Sequence, residues 1–161
     1  MFVEYRCAGD KDIAELEVLA KRCWSFQSSP EGVYEGETFG SRVMLSDVVV
    51  AVSGGDIVGY VVIGKRSAFA CNSHVGVLRS LAVDPVHRRR GLALELLRRA
   101  ERLAFERGQA VLRLSVMGWN VGALGLYQKA GWREVARFEK EFIVGEEEVD
   151  DIVLEKVVSP C

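Results

Sequence analysis

The sequence predicts a single α/β domain, residues 1–161, built as a mixed sheet with helices on both faces. The length suits one domain, and 49% hydrophobic with 27% charged residues is an ordinary globular balance. A strand, a long amphipathic helix and a further strand follow one another in the second half, which favours a parallel pair of strands. Apolar runs joined by short turns elsewhere favour antiparallel hairpins.

The first half alternates short helices with apolar, β-branched segments. Asp10 is placed to cap a helix whose apolar residues recur at helical spacing from Ile13 to Cys23. The segment Ser53-Gly54-Gly55-Asp56 between two apolar runs is a turn signal. We expect a strand, a helix, a loop, a short helix and two hairpin strands over residues 3–7, 13–23, 25–36, 38–45, 48–52 and 57–63.

The second half is dominated by one long helix between two strands. Asp84-Pro85 ends the strand before it, and Gly108 stands where a helix commonly ends. The helix carries one apolar stripe, while its other faces are charged. We expect a strand, a helix, a strand, a helix and two closing strands over residues 75–83, 89–107, 110–116, 121–129, 132–144 and 150–157.

Charge and cysteine content bound the setting of the protein. A formal net charge of −2, from 21 basic and 23 acidic residues, argues against a nucleic-acid-binding surface. Neither a signal peptide nor an apolar run of membrane-spanning length is present, so we expect a soluble, cytoplasmic protein. Cys7, Cys23, Cys71 and Cys161 form no CxxC pair, which predicts free and mostly buried thiols without a zinc site. A disulfide stays open.

One segment carries recognisable chemistry, the basic turn between the strand at 75–83 and the long helix. The first N–H groups of a helix lack partners within it and lie at the positive end of its dipole, which suits a pyrophosphate. Gly91 lets phosphates approach the backbone, small Ala93 serves the same end, and the run from Arg88 to Arg90 adds positive charge. The alternative is a solvated basic run with an incidental glycine.

Two motifs in this part of the chain resemble the signatures of GNAT acetyltransferases. The first is Arg88-x-x-Gly91-x-Ala93, and the second is the block from Asn120 to Trp132, Asn-x-x-Ala-Leu-x-Leu-Tyr-x-Lys-x-Gly-Trp. The resemblance covers residues 48–156 and is greatest to protein N-terminal acetyltransferases, both ribosomal-protein alanine and archaeal N-alpha enzymes. It implies a mainly antiparallel GNAT-like sheet in which a central parallel pair of strands splays apart.

The resemblance also implies acetyl-CoA as acyl donor and a set of residues that bind it. Main-chain groups would hold the pyrophosphate and the pantetheine arm, and Asn120 would contact the pantetheine, cap the following helix, or do both. Tyr127 would protonate the departing thiolate as a general acid, the alternative being a core tyrosine. The implied cofactor-binding residues are Leu81, Val83, Arg88, Arg89, Arg90, Gly91, Leu92, Ala93 and Asn120.

The general base departs from the pattern of the family. Relatives often place a carboxylate or histidine five residues before the asparagine or on the strand before the turn, where this chain has Ser115 and Val77. Three explanations stay open: a water chain to a distant carboxylate, a base among Glu35, Glu37 and His74, or no base at all. An α-amino group with a pKa near 8 is already partly neutral, which suits the third explanation.

The acceptor is the least defined part of the prediction. Tyr34 and Glu35, in the loop between the first two helices, are the expected substrate contacts. The closing hairpin has Phe138 and Phe142 where the family often has a tyrosine. The leading hypothesis is acetylation of a protein N-terminus by direct attack in a ternary complex; the alternatives are a small-molecule amine acetyltransferase and a non-catalytic acyl-CoA-binding module. We expect a monomer or homodimer with a peptide N-terminus or small amine as partner, without nucleic acid, membrane or metal.

Overall fold

A computed structural model describes residues 2–30 and 39–159, which form seven strands and four helices. The strands are β1 (Glu4–Cys7), β2 (Val48–Ser53), β3 (Asp56–Lys65), β4 (Val75–Val83), β5 (Val111–Met117), β6 (Arg133–Val144) and β7 (Glu147–Val157). The helices are α1 (Ile13–Cys23), α2 (Phe39–Arg42), α3 (Leu92–Glu106) and α4 (Val121–Lys129). The strands make one sheet in the order β1-β2-β3-β4-β5-β7-β6, antiparallel except for the parallel pair β4–β5. The predicted mixed sheet and order of elements are confirmed.

Each face of the sheet has its own hydrophobic core. In β2 and β3, alternate residues point to opposite faces, so Val49 and Val61 pack with α3 while Val50 and Val62 pack with α1. The buried stripe of α3 includes Leu96, which is 0% exposed. Burying a leucine side chain stabilises a fold by about 1.5–3 kcal/mol, so the buried faces of α1 and α3 hold both helices to the sheet.

The parallel pair is short because β4 bends away from β5. The two strands pair from Val75 to Val77 on β4 and separate beyond that point. Immediately afterwards Leu78 pairs with Ile63 and Ser80 with Val62, which leaves Arg79 as an extra residue in β4. Such a bulge bends the strand that contains it, so residues 78–83 lie without a strand partner on the β5 side. The sheet therefore opens at its centre.

Two predicted helix starts are wrong. Asp10 does not cap α1: it begins a 3₁₀ turn, and Asp12 occupies the N-cap position, its carboxylate accepting the Gly9 N–H at 2.8 Å. The long helix begins at Leu92 rather than residue 89, because Gly91 adopts a left-handed conformation with φ +82°. The turn before α3 is therefore longer than the apolar spacing indicates.

The prediction of mostly buried cysteines is also wrong. Cys7 and Cys71 are exposed and Cys23 is half-buried; all three are free thiols, and Cys161 lies outside the described residues. Cys7 ends an edge strand and Cys71 lies in a turn, where little packs against them.

Candidate functional site

Two adjoining cavities occupy the opening between β4 and β5. Their volumes are about 530 Å³ and about 970 Å³. Leu81 of β4, together with Asn120 and Tyr127, lines both, so the two spaces meet inside the opening. The larger cavity extends along the turn before α3, and the smaller one extends along the ends of β5 and β7.

The turn before α3 has the backbone of an anion site. Arg89 and Gly91 both have positive φ, at 63° and 82°, which turns the chain sharply into the helix. A left-handed non-glycine residue costs about 1 kcal/mol or more, and such strain clusters at ligand sites. A Cβ on Gly91 would meet no heavy atom within 4 Å, so its outer side is open. The first N–H groups of α3 have no carbonyl partner within the helix, and Leu92 and Ala93 of its first turn line the larger cavity.

Buried contacts fix this turn to the end of β4. The Asp84 carboxylate is 2% exposed, accepts the Val86 N–H at 3.0 Å and pairs with Arg22 of α1. Burial raises the pKa of Asp84, but these two contacts outweigh it, so the pKa lies below its ordinary value. Arg88 Nε donates to the Val83 carbonyl at 3.0 Å. Sequence reasoning treated Asp84-Pro85 only as a strand end, although an aspartate before proline is also a turn-capping signal.

Most of the predicted cofactor residues lie together at the larger cavity. Arg90 is not among the lining residues of that cavity. Arg88 lines it, and its guanidinium also donates a hydrogen bond to the end of β4. His87 also lines it, and its buried Nδ1 has no hydrogen-bond partner within the part of the chain that the structure describes. The predicted residues found in the lining are Leu81, Val83, Arg88, Arg89, Gly91, Leu92, Ala93 and Asn120.

Tyr127 stands where the two cavities meet. It is 8% exposed, and its ring lies 5.6 Å from that of Trp132 in an edge-on arrangement. Burial raises the pKa of Tyr127 to about 12, so the phenol keeps its proton at neutral pH. Its hydroxyl makes no hydrogen bond to any described residue, although a buried tyrosine hydroxyl usually finds a partner. The arrangement suits a proton donor to a ligand in the cavity.

Asn120 has a structural role at the same junction. Its side-chain oxygen accepts the Ala123 N–H at 3.2 Å and caps α4, as expected for one of its two predicted roles. The residue also lines both cavities, which leaves its side-chain amide group close to a ligand there.

The smaller cavity is lined by β4, β5 and β7 and by the segment after α1. Ser115 Oγ donates to Asp151 Oδ2 at 3.1 Å, and Phe142 of β6 lies nearby in the lining. Trp119 Nε1 donates to the Gln27 carbonyl at 2.9 Å, which holds the segment after α1 against the turn after β5. The cavity is thus open toward solvent but bordered by fixed elements.

The predicted base positions separate in the structure. Ser115 lines the smaller cavity, whereas Val77 lies at the last β4–β5 pair and is not part of the lining. His74 is exposed just before β4, at the end away from the opening. Tyr34, Glu35 and Glu37 lie outside the described residues.

Two kinds of site find no support in residues 2–30 and 39–159. None of the helices there combines the length and apolar character that a membrane crossing requires. The same residues contain no group of three or more histidine, cysteine or acidic side chains suited to a metal ion.

Sequence comparison relates the chain to one family. A sequence model described as the acetyltransferase (GNAT) family matches residues 13–132, most of the chain. The [ribosomal protein bS18]-alanine N-acetyltransferase of Escherichia coli (strain K12) is 38% identical over 74 residues, which cover 44% of this chain and 50% of the relative. The chain thus aligns with only half the length of that relative.

Solved structures share the fold over nearly the whole chain. The acetyltransferase of the GNAT family from Streptococcus pneumoniae has a TM-score of 0.82 at 26% identity, covering 98% of this chain and 100% of its own. A putative acetyltransferase from Salmonella typhimurium, solved with its cofactor acetyl-CoA, has a TM-score of 0.79 at 18% identity, covering 100% and 96%. The predicted fold and the predicted family resemblance are confirmed, and acetyl-CoA is the cofactor in the Salmonella structure. The chain therefore belongs to the acetyltransferase (GNAT) family.

Proposed function

We propose that the protein transfers an acetyl group from acetyl-CoA to a primary amine, specifically the α-amino group of a protein N-terminus, by direct attack in a ternary complex. The observation that carries this proposal is the Tyr127 hydroxyl, which is protonated, lacks a partner among the described residues and lies at the junction of two cavities. A donor in one cavity and an acceptor in the other would meet beside it.

The larger cavity suits the CoA moiety. The turn from Arg88 to Ala93 offers backbone N–H groups and positive charge to the pyrophosphate, and the unpaired edge of β4 offers main-chain groups to the pantetheine arm. The bound thioester supplies the acetyl group, and its C–S bond breaks as the new C–N bond forms. Tyr127 donates its proton to the departing sulfur.

The smaller cavity suits the amine. It opens beside Ser115 and Asp151 on the opposite side of the opening from the turn before α3. An N-terminal amine has a pKa near 8 and is about one-tenth neutral at pH 7, whereas a lysine amine with a pKa near 10.4 is far less so. The E. coli relative is named for an alanine of ribosomal protein bS18, which supports a protein acceptor in the cytoplasm.

Two measurements test the proposal in sequence. Calorimetric titration with acetyl-CoA should show binding, while ATP and NAD should show none under the same conditions. Transfer of labelled acetyl groups is then measured with peptides that begin with alanine, serine or methionine and with small amines such as spermidine. Transfer to small amines alone would contradict the peptide assignment. Binding of acetyl-CoA without transfer to any amine would contradict catalysis and indicate a non-catalytic binding module.

A further inference from the structure

The smaller cavity contains one carboxylate that has no part in the reaction proposed above. Among the described residues that line this cavity, Asp151 is the only one with a carboxylate side chain. It is half-buried on β7, and no ion pair to it occurs within residues 2–30 and 39–159. An unpaired carboxylate in an acceptor cavity is suited to contact a basic nitrogen.

The register of the strands directs Asp151 into this cavity. β5 and β7 are antiparallel, with Met117 opposite Asp151 and Ser115 opposite Val153. Their intervening residues, such as Ile152, belong to the core beneath α3 and α4, so Asp151 faces the other side of the sheet. The neighbouring Asp150 has different contacts, with the Arg137 guanidinium and the Lys140 N–H.

Ser115 connects this carboxylate to the centre of the opening. Its hydroxyl proton is directed to Asp151 Oδ2 at 3.1 Å, which leaves the Ser115 oxygen lone pairs available to accept another proton. Ser115 lies two residues beyond Arg113, the last β5 residue that pairs with β4. The hydroxyl therefore lies on the part of β5 that borders the opening, where it is hydrogen-bonded to the carboxylate.

We propose that Asp151 is the proton acceptor of the reaction and receives the proton of the attacking amine through Ser115 Oγ. This inference rests on the proposed function. A hydroxyl alone is a poor base at neutral pH, but a hydroxyl bonded to a carboxylate can pass a proton on.

The proton transfer balances over one turnover. The nitrogen of the neutral amine attacks the acetyl carbon and becomes positively charged, which makes its N–H acidic enough for a carboxylate to accept. That proton passes to Ser115 Oγ while the Ser115 proton passes to Asp151. The C–S bond breaks, and Tyr127 protonates the sulfur. Asp151 afterwards releases its proton to solvent, and Tyr127 takes one up.

No described cation in the surroundings neutralises Asp151. The one cationic side chain in the lining is Arg79, whose Nη2 donates to the Lys65 carbonyl at 3.1 Å. Further along the sheet, Arg113 of β5 and Arg133 of β6 pair with Glu155 of β7 at 2.8 and 2.9 Å. The other titratable residues of the lining are Cys23, Tyr60 and Tyr127.

The test begins with Asp151→Asn, which keeps an oxygen for the Ser115 hydroxyl but removes the base. We expect kcat for peptide acetylation to fall about 100-fold, since general-base catalysis typically contributes 10²–10⁴. The KM for the peptide and the affinity for acetyl-CoA should stay within about threefold. Asp56→Asn, the same change at the exposed first residue of β3, should match the wild type.

A second variant distinguishes a chemical role from a structural one. In Asp151→Ala, sodium formate should restore activity at least tenfold, because a small carboxylate can enter the space that the substitution leaves. Sodium chloride at equal ionic strength should not, and formate should not stimulate the wild type. Ser115→Ala should also lower kcat, and the double variant Ser115→Ala/Asp151→Asn should be no slower than Asp151→Asn alone.

The outcomes separate this inference from the proposed function. An active wild type whose Asp151→Asn variant keeps kcat within threefold, or whose Asp151→Ala variant gains nothing from formate, overturns the role of Asp151 and leaves the proposed function standing. A wild type that binds acetyl-CoA and acetylates no amine overturns both.

Discussion

Replacement of Tyr127 by phenylalanine removes one oxygen atom from the junction of the two cavities. We expect kcat to fall about 30-fold, with the dissociation constant of acetyl-CoA and the thermal stability nearly unchanged. The hydroxyl makes no hydrogen bond to a described residue, so its loss leaves no partner unpaired among residues 2–30 and 39–159. The edge-on contact of the ring with Trp132 is kept.

The magnitude follows from the acidity of the thiol relative to the pH of the solvent, because Tyr127 regains its proton from solvent in each turnover. Burial raises the pKa of Tyr127 to about 12, so the phenol is protonated throughout the neutral range and can act as a donor. A thiol has a pKa of about 8.5, so protonating the departing thiolate at pH 7 is favourable by about 1.5 pH units. This corresponds to about 2 kcal/mol, or about 30-fold in rate when the transition state gains the whole free energy of thiolate protonation.

The assay follows thiol release with saturating acetyl-CoA and peptide, and calorimetry measures acetyl-CoA affinity for the same preparations. Tyr5→Phe is a matched control, because Tyr5 lies on β1 outside both cavities. Wild-type kcat in Tyr127→Phe would refute the reasoning. A loss of acetyl-CoA affinity beyond tenfold would show instead that the hydroxyl serves binding.

Three further results are expected. Gly91→Glu should weaken acetyl-CoA binding at least 100-fold in calorimetry by placing a negative charge at the pyrophosphate site, whereas Gly55→Glu, also at positive φ with open space, should not. Leu96→Ala should destabilise the protein by about 2–5 kcal/mol in denaturant unfolding, since the side chain is 0% exposed. The bond from Arg6 lowers the pKa of Asp12 to about 2, so this carboxylate stabilises the fold above pH 4 and the contribution disappears as pH falls toward 2. Arg6→Ala should therefore cost about 1–2 kcal/mol at pH 7 and little at pH 2; an equal cost at both would contradict the pairing.

The fold was largely predictable because its strands and helices carry strong local patterns. The strand predicted at residues 75–83 and the helix at 121–129 agree with β4 and α4 at both ends. Errors arose where conformation overrides spacing. Gly91 adopts positive φ, which delays the start of α3, and Asp12 rather than Asp10 occupies the N-cap because a 3₁₀ turn intervenes.

The site divides between residues with a local signature and residues joined only by the sheet. Two parts of the site belong to contiguous motifs: the turn from Arg88 to Ala93, and Tyr127 in the block from Asn120 to Trp132. Their resemblance to the family could therefore be recognised directly from the sequence. Asp151 is 36 residues from Ser115 in sequence, and their contact depends on the register of β5 with β7. No local pattern contains that register, and an acidic residue in a closing strand is otherwise typical of a solvated face.

The same register explains how a base can be relocated within this fold. In an antiparallel pair, a residue on one strand and the residue two positions from its direct partner are close enough for polar side chains to interact. Ser115 lies opposite Val153, and Asp151 is the diagonal neighbour on the same face. When β5 lacks a carboxylate, β7 can thus supply one. This requires a small hydroxyl side chain on β5, as in Ser115, rather than a bulky side chain that would separate the carboxylate from the amine. The hydroxyl of Ser115 is a poor base alone, but the small size of this side chain allows Asp151 to reach the opening.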